Sequence, residues 1–189
     1  VTGHFATPLN LSVHAFLYDG AMHDLGTFGG LDSLGYGINA NGQVTGNFIL
    51  YGVENHAFLW TPTTPNDASG TMIDLGTLGG TGSTGFGINA SGQVTGNSST
   101  TDGDFRAFLW TPTMPNGASG TMHDLGPGIG IGINASGHVT GYTGSHAFLY
   151  TSGSGMVDLN SLIDPLSGWE LQFGAGINDA GQITGFGYI

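Results

Sequence analysis

The sequence predicts an all-β repeat protein of four-stranded antiparallel meanders. Three observations carry that prediction. Four short motifs recur in fixed order along the 189 residues. Each motif is aromatic or β-branched and is flanked by Gly, Asn, Ser or Pro, as strands are. Nothing in the chain has a sustained helical period, apart from a turn expected at Ser161 to Asp164.

The first strand of each unit is Gly-x-Gly-Ile-Asn, at Gly35, Gly85, Gly130 and Gly174; its isoleucines lie 50, 45 and 44 residues apart. That period is in the range of propeller blades and solenoid units. The second strand is Val/Ile-Thr-Gly, at Val1, Val44, Val94, Val139 and Ile183. Between them lie Asn39 to Gly42, Asn89 to Gly92, Asn134 to Gly137 and Asn178 to Gly181. These read as tight hairpin turns, because Asn and Gly tolerate left-handed conformations. The third strand is Ala-Phe-Leu-Trp/Tyr, at Ala15, Ala57, Ala107 and Ala147, and the fourth is Met-x-Asp-Leu, at Met22, Met72, Met122 and Met156. Asp19-Gly20 predicts a two-residue hairpin between them in the first copy. Loops Thr61 to Gly70 and Thr111 to Gly120, each with two prolines, take its place later.

Two architectures accommodate this unit: a small β-propeller of about four blades, and an open stack of meanders. Strand interiors avoid Gly unless backbones approach closely. The Gly-x-Gly strands therefore favour the propeller, with these strands innermost, most buried and side by side. The chain reads as one repeat domain with units at 1–34, 35–84, 85–129, 130–173 and 174–189, the first and last incomplete. Five Val/Ile-Thr-Gly strands stand against four of every other kind. The two ends therefore compete for one strand position, and head-to-tail pairing between copies is the expected partner interaction.

Composition excludes several classes. Arg106 is the only basic residue apart from histidine, and the net charge is −12. Such a chain has no electrostatic footprint for nucleic acid or anionic membranes. No apolar run reaches the ~18 residues of a membrane helix. Without lysine there is no Schiff-base chemistry or Walker-type phosphate loop. Without cysteine there is no thiol catalysis, thiolate metal site or disulfide. Gly35-x-Gly37-x-x-Ala40 matches a dinucleotide fingerprint only formally, because a hairpin rather than a helix follows it.

The triplets His14-Ala15-Phe16, His56-Ala57-Phe58 and His146-Ala147-Phe148 resemble the HAF-repeat family of extracellular bacterial proteins. So do Asp74 to Gly80, Gly87 to Gly96, and the closing stretch from Asp158 through Gly168-Trp169 to Asn178. Arg106 departs from the pattern where a fourth histidine would stand. The resemblance covers nearly the whole chain. It implies an exported β-repeat protein, located outside the cell or at its surface, and brings no catalytic residues with it.

The repeated His14, His56, Arg106 and His146 read as structural donors, each holding a blade edge to a neighbouring carbonyl. Asp24, Asp74, Asp124 and Asp158 read as carboxylates that organise the following turn by accepting backbone N–H groups. Departures from the repeat are the candidates for something specific. Asp102-Gly103-Asp104 is an acidic insertion that offers calcium two carboxylates, fewer than a good site needs. Trp60 and Trp110 read as core. Trp169 and Glu170 lie in the one irregular stretch, where a Trp beside a carboxylate is also how a sugar site is built. Glu54 is a further ligand candidate. No cofactor is expected beyond that calcium.

The expected function is a non-catalytic extracellular β-repeat domain with a structural, adhesive or self-assembling, fibre-forming role. A carbohydrate-binding propeller is the first alternative. A propeller hydrolase or lyase is the second; it would need two carboxylates or a His–carboxylate pair converging at one end of the axis, and the sequence singles out no active pair among Glu54, Asp102, Asp104 and Glu170.

Overall fold

The computed structural model describes residues 1–7, 12–50, 54–65, 67 and 69–189. Seventeen strands form five separate antiparallel sheets among the described residues. The first sheet holds β1 (Thr2–Ala6), β2 (Val13–Tyr18) and β3 (Met22–Asp24). The second holds β4 (Asp32–Ile38), β5 (Val44–Ile49), β6 (Asn55–Pro62) and β7 (Gly70–Gly76). The third holds β8 (Gly79–Ile88), β9 (Val94–Thr100), β10 (Phe105–Pro112) and β11 (Gly120–Pro127). The fourth holds β12 (Ile129–Ile133), β13 (Val139–Thr143), β14 (His146–Thr151) and β15 (Gly155–Asp158). The fifth is the hairpin of β16 (Glu170–Ile177) and β17 (Ile183–Tyr188). Strands pair in chain order within every sheet, so each four-stranded sheet is a meander. A single turn of 3-10 helix, Leu159–Ser161, overlaps the expected turn at Ser161 to Asp164 only at Ser161.

The later sheets begin at Asp32, Gly79, Ile129 and Glu170, ahead of the glycines that mark the motif. The hairpin between β2 and β3 has three loop residues rather than two, because Tyr18 pairs with Met22. The Asp19 carboxylate accepts the Ala21 N–H at 3.2 Å and the His23 ring nitrogen at 2.9 Å, which closes this wider turn. The loop from Thr61 to Gly70 includes Asn66 and Ala68, which lie outside the described residues. In the Asn-to-Gly turns only the glycine is left-handed, with φ of 78° at Gly42, 81° at Gly92, 74° at Gly137 and 80° at Gly181. The asparagines stay in ordinary backbone and act through their side chains instead.

Successive sheets pack face to face, and the core lies between them as three clusters. The strand pleat explains the pattern. In Ala-Phe-Leu-Trp, alternate residues point to opposite faces. Ala15, Leu17 and Leu25 of the first sheet meet Val44, Phe58, Trp60 and Met72 of the second. Ala57, Leu59 and Leu75 then meet Val94, Phe108 and Trp110. Ala107, Leu109 and Leu125 meet Val139 and Phe148. Each unit thus presents an Ala/Leu face to the unit after it and a Val/Phe/Trp face to the unit before it.

The Gly-x-Gly strands do lie side by side. A Cβ on Gly37 would sit 2.7 Å from the Phe86 carbonyl oxygen, one on Gly87 2.6 Å from that of Ile131, and one on Gly132 2.8 Å from the Gly176 Cα. They are not the most buried strands, contrary to expectation. That place belongs to the second and third strands, such as β5, β6, β9 and β10. Glycine has little side chain to bury, and its service here is to let backbones approach. Replacing Gly87 with Val should cost about 1–3 kcal/mol by overpacking, read as a melting temperature several degrees lower. An unchanged melting temperature would contradict the close approach.

Candidate functional site

The repeated polar residues converge on two ladders and one pair. The pair joins the third and fourth strands of the same sheet. His14 Nδ1 donates to Asp24 at 2.8 Å, His56 Nδ1 to Asp74 at 2.9 Å, and His146 Nδ1 to Asp158 at 2.6 Å. Arg106 reaches Asp124 at 3.5 Å. The partner is a carboxylate of the same sheet, not a carbonyl of the next as the sequence led us to expect. A charged acceptor strengthens the bond and accommodates Arg as readily as His.

The same carboxylates also organise the turn that follows. Asp24 accepts the Gly26 N–H at 2.8 Å, Asp74 the Gly76 N–H at 2.7 Å and Asp124 the Gly126 N–H at 2.8 Å. Asp158 accepts Asn160 N–H at 2.8 Å and caps the 3-10 turn. Partial burial alone would raise the Asp158 carboxyl. The hydrogen bonds from Asn160 and His146 outweigh it, and the group lies below the ordinary carboxylate range.

The first ladder is made of asparagine. Asn39 Nδ2 donates to the Asn89 carbonyl at 3.0 Å, Asn89 Nδ2 to that of Asn134 at 3.0 Å, and Asn134 Nδ2 to that of Asn178 at 3.1 Å. Each Oδ1 accepts two backbone N–H groups of its own turn, as Asn39 does from Asn41 and Gln43. The residues read as turn formers are therefore also rungs between units. The second ladder is made of threonine. Thr2, Thr45, Thr95 and Thr140 each donate to the phenylalanine carbonyl of the neighbouring strand, at 2.7–2.8 Å. The first glycine of the following Gly-x-Gly packs directly on each of these hydroxyls: Gly35 on Thr2, Gly85 on Thr45, Gly130 on Thr95 and Gly174 on Thr140.

The sequence-level ligand candidates are not brought together. Trp60 and Trp110 are core, as expected, whereas Trp169 is 50% exposed. It lines an apolar groove of about 640 Å³ with Ala147, Leu159, Phe173, Ile183 and Phe186. Glu170 points elsewhere and accepts from Gln172 at 3.3 Å. Glu54 lines a separate cleft of about 340 Å³ with Ser99 and Phe105. Asp102 and Asp104 stand on an exposed turn. No group of three His, Asp or Glu able to hold a metal occurs among the described residues.

Two residues escaped the sequence reading. Ser33 Oγ accepts the Ala15 N–H at 2.9 Å and donates to the Gly26 carbonyl at 2.6 Å. Ser83 does the same with Ala57 and Gly76 at the same distances. Each hydroxyl fastens one sheet to the third strand of the sheet before it. The signal was a serine two places ahead of the first glycine in two copies. No protein-family model matches the chain, and no curated protein matches it.

Asn89→Ala removes a buried rung and leaves several partners unsatisfied. It should cost about 2–3 kcal/mol in a denaturant titration; Asn41→Ala, which loses one solvent-exposed bond of 3.2 Å to the Ala90 carbonyl, should cost far less. Asp158 titrates lower in the folded chain than unfolded. Its stabilisation is therefore present above about pH 4 and lost as pH falls through the lowered native value. Asp158→Asn should flatten the acid limb of a stability–pH curve, and an unaltered limb would contradict this.

Proposed function

We propose that this chain is a non-catalytic structural module outside the cell, an arc of propeller-type blades serving as a scaffold. One observation carries the reading: the repeated polar side chains are spent on holding sheets together. The His/Arg–Asp pairs and the threonine hydroxyls bond within a sheet, and the asparagine rungs bond from one sheet to the next. A site for catalysis or ligand binding keeps polar groups free for its ligand. The blade geometry is supported by the glycine strands, which touch from sheet to sheet, while the fourth strands barely meet. Sheets packed at one edge and splayed at the other fan out around an axis. The extracellular location rests on the resemblance of the His-Ala-Phe triplets to exported repeat proteins.

The test is ligand linkage. Anything that binds the folded chain raises its melting temperature with concentration. Calcium and a panel of soluble oligosaccharides should leave both the melting temperature and the Trp169 fluorescence unchanged. A saturable shift of either would overturn the scaffold reading and point to the groove at Trp169 or the cleft at Glu54.

A further inference from the structure

The third sheet breaks the repeat where it meets the second. In the second sheet Ser33 faces Phe48 and Asp32 faces Ile49. Phe48 is fully buried and packs on Phe28 at 4.9 Å between ring centres. In the third sheet Ser83 faces Ser98, and Ser99 stands in the place of Ile49. Two bulky apolar side chains are thus exchanged for hydroxyls, and the strand opposite answers with a bulge. The register passes from Gly79 against Thr100 to Ser83 against Ser98, so Gly80, Thr81 and Gly82 stand against Ser99 alone. The buried Ser99 hydroxyl holds this bulge. It accepts the Thr81 and Gly82 N–H groups at 2.9 Å and donates to the Gly82 carbonyl at 3.2 Å. Strand bulges are over-represented beside functional sites.

The cleft at Glu54 opens on the bulge. Glu54 reaches it from the second sheet: a Cβ on Gly82 would lie 2.9 Å from its Oε2. Among the described residues the Glu54 carboxylate makes no hydrogen bond or ion pair, and the hydroxyls of Thr81 and Thr101, which also line the cleft, make none. Phe105 closes the lining with a ring that is 58% exposed. Arg106, next along β10, points to the opposite face of the strand and is bonded to Asp124. No cation therefore lines the cleft, in a chain of net charge −12. Its volume of about 340 Å³ lies at the lower end of ligand pockets, which run from about 300 to 1,000 Å³. That is room for one side chain rather than for a run of sugars.

An unpaired carboxylate, an exposed aromatic face and free hydroxyl oxygens suit a guanidinium group. Its planar fork meets a carboxylate with two parallel bonds, and its face stacks on an aromatic ring. The hydroxyl oxygens accept the remaining N–H groups. We propose that the Glu54 cleft receives an arginine side chain of a partner protein and so docks that partner on the module. A second copy of this sequence is a poor candidate, because its one arginine is Arg106, already bonded to Asp124. The inference rests on the scaffold reading and adds to it the chemistry of what the scaffold holds. The polar groups concerned stand where the repeat is broken, outside the ladders that fasten the sheets.

Titration of the isotope-labelled chain with acetyl-Gly-Arg-Gly-amide, a probe with blocked ends and a single charge, tests it through backbone amide chemical shifts. Saturable shifts should be confined to Glu54, Gly79 to Gly82 and Ser99 to Phe105. The citrulline analogue, neutral and of similar shape, should give none, and the lysine analogue should bind several-fold more weakly. Glu54→Gln should weaken binding of the arginine probe by about tenfold or more, with the melting temperature unchanged because the side chain is exposed and unbonded. Phe105→Ser should weaken it by about threefold. Asp179→Asn, in the turn at the other end of the strands, should leave it unchanged. A probe that gives no saturable shift overturns the inference, as does binding that survives Glu54→Gln or is matched by the citrulline or lysine analogue. Equal weakening by Asp179→Asn also overturns it, since that marks a general attraction to an acidic chain. The scaffold reading is tested with calcium and oligosaccharides and not with this peptide, so the two can fail separately.

Discussion

The threonine hydroxyl beneath each leading glycine is the constraint on which the rest depends. It ties the second strand to the third inside a sheet and forms the floor on which the next sheet rests. No side chain fits between the hydroxyl and the following backbone. Glycine is therefore demanded at Gly35, Gly85, Gly130 and Gly174 by contact with another unit. With backbones this close, the Ala/Leu face of one sheet reaches the Val/Phe/Trp face of the next. The apolar clusters follow from that distance.

A chain with few charges and much glycine has little else to specify a single arrangement. Buried polar groups raise specificity when every one is satisfied, and a half-satisfied network is worse than an apolar core. Here the asparagine rungs meet the condition through two acceptor bonds at Oδ1 and donor bonds from Nδ2 at each interior position. Asn39, Asn89 and Asn178 also each donate from Nδ2 to the glutamine of their own turn, at 2.7–2.8 Å. The outer strands use cheaper fastenings, exposed pairs such as Arg106 with Asp124, which contribute roughly 0–1 kcal/mol. Substitution of His by Arg at that position is easily tolerated for this reason.

Much of the fold was legible because the repeat is written in residue types with single physical uses. Ala-Phe-Leu-Trp alternates with the pleat, Gly-x-Gly marks backbone approach, and the aspartates carry their turn-organising role in the residue type. Less legible was the second partner of each polar residue. Nothing within one unit shows that Asn89 reaches Asn134, 45 residues on, or that Ser83 fastens Ala57. Those bonds join units, and their geometry exists only once the sheets are stacked. The exposed position of Trp169 was hidden for the same reason: burial of a tryptophan depends on whether a further strand covers it.

The sequence by itself determined the class of strand, the order of the meander and the two apolar faces of each sheet. Hydrophobic alternation and turn chemistry act over a few residues and need no distant partner. Tertiary structure alone decided which strands are most buried, that the histidines bond to carboxylates of their own sheet, and that the last sheet leaves a groove beside β17. Each of these is set by which strands and sheets come to lie against one another, which local sequence does not encode.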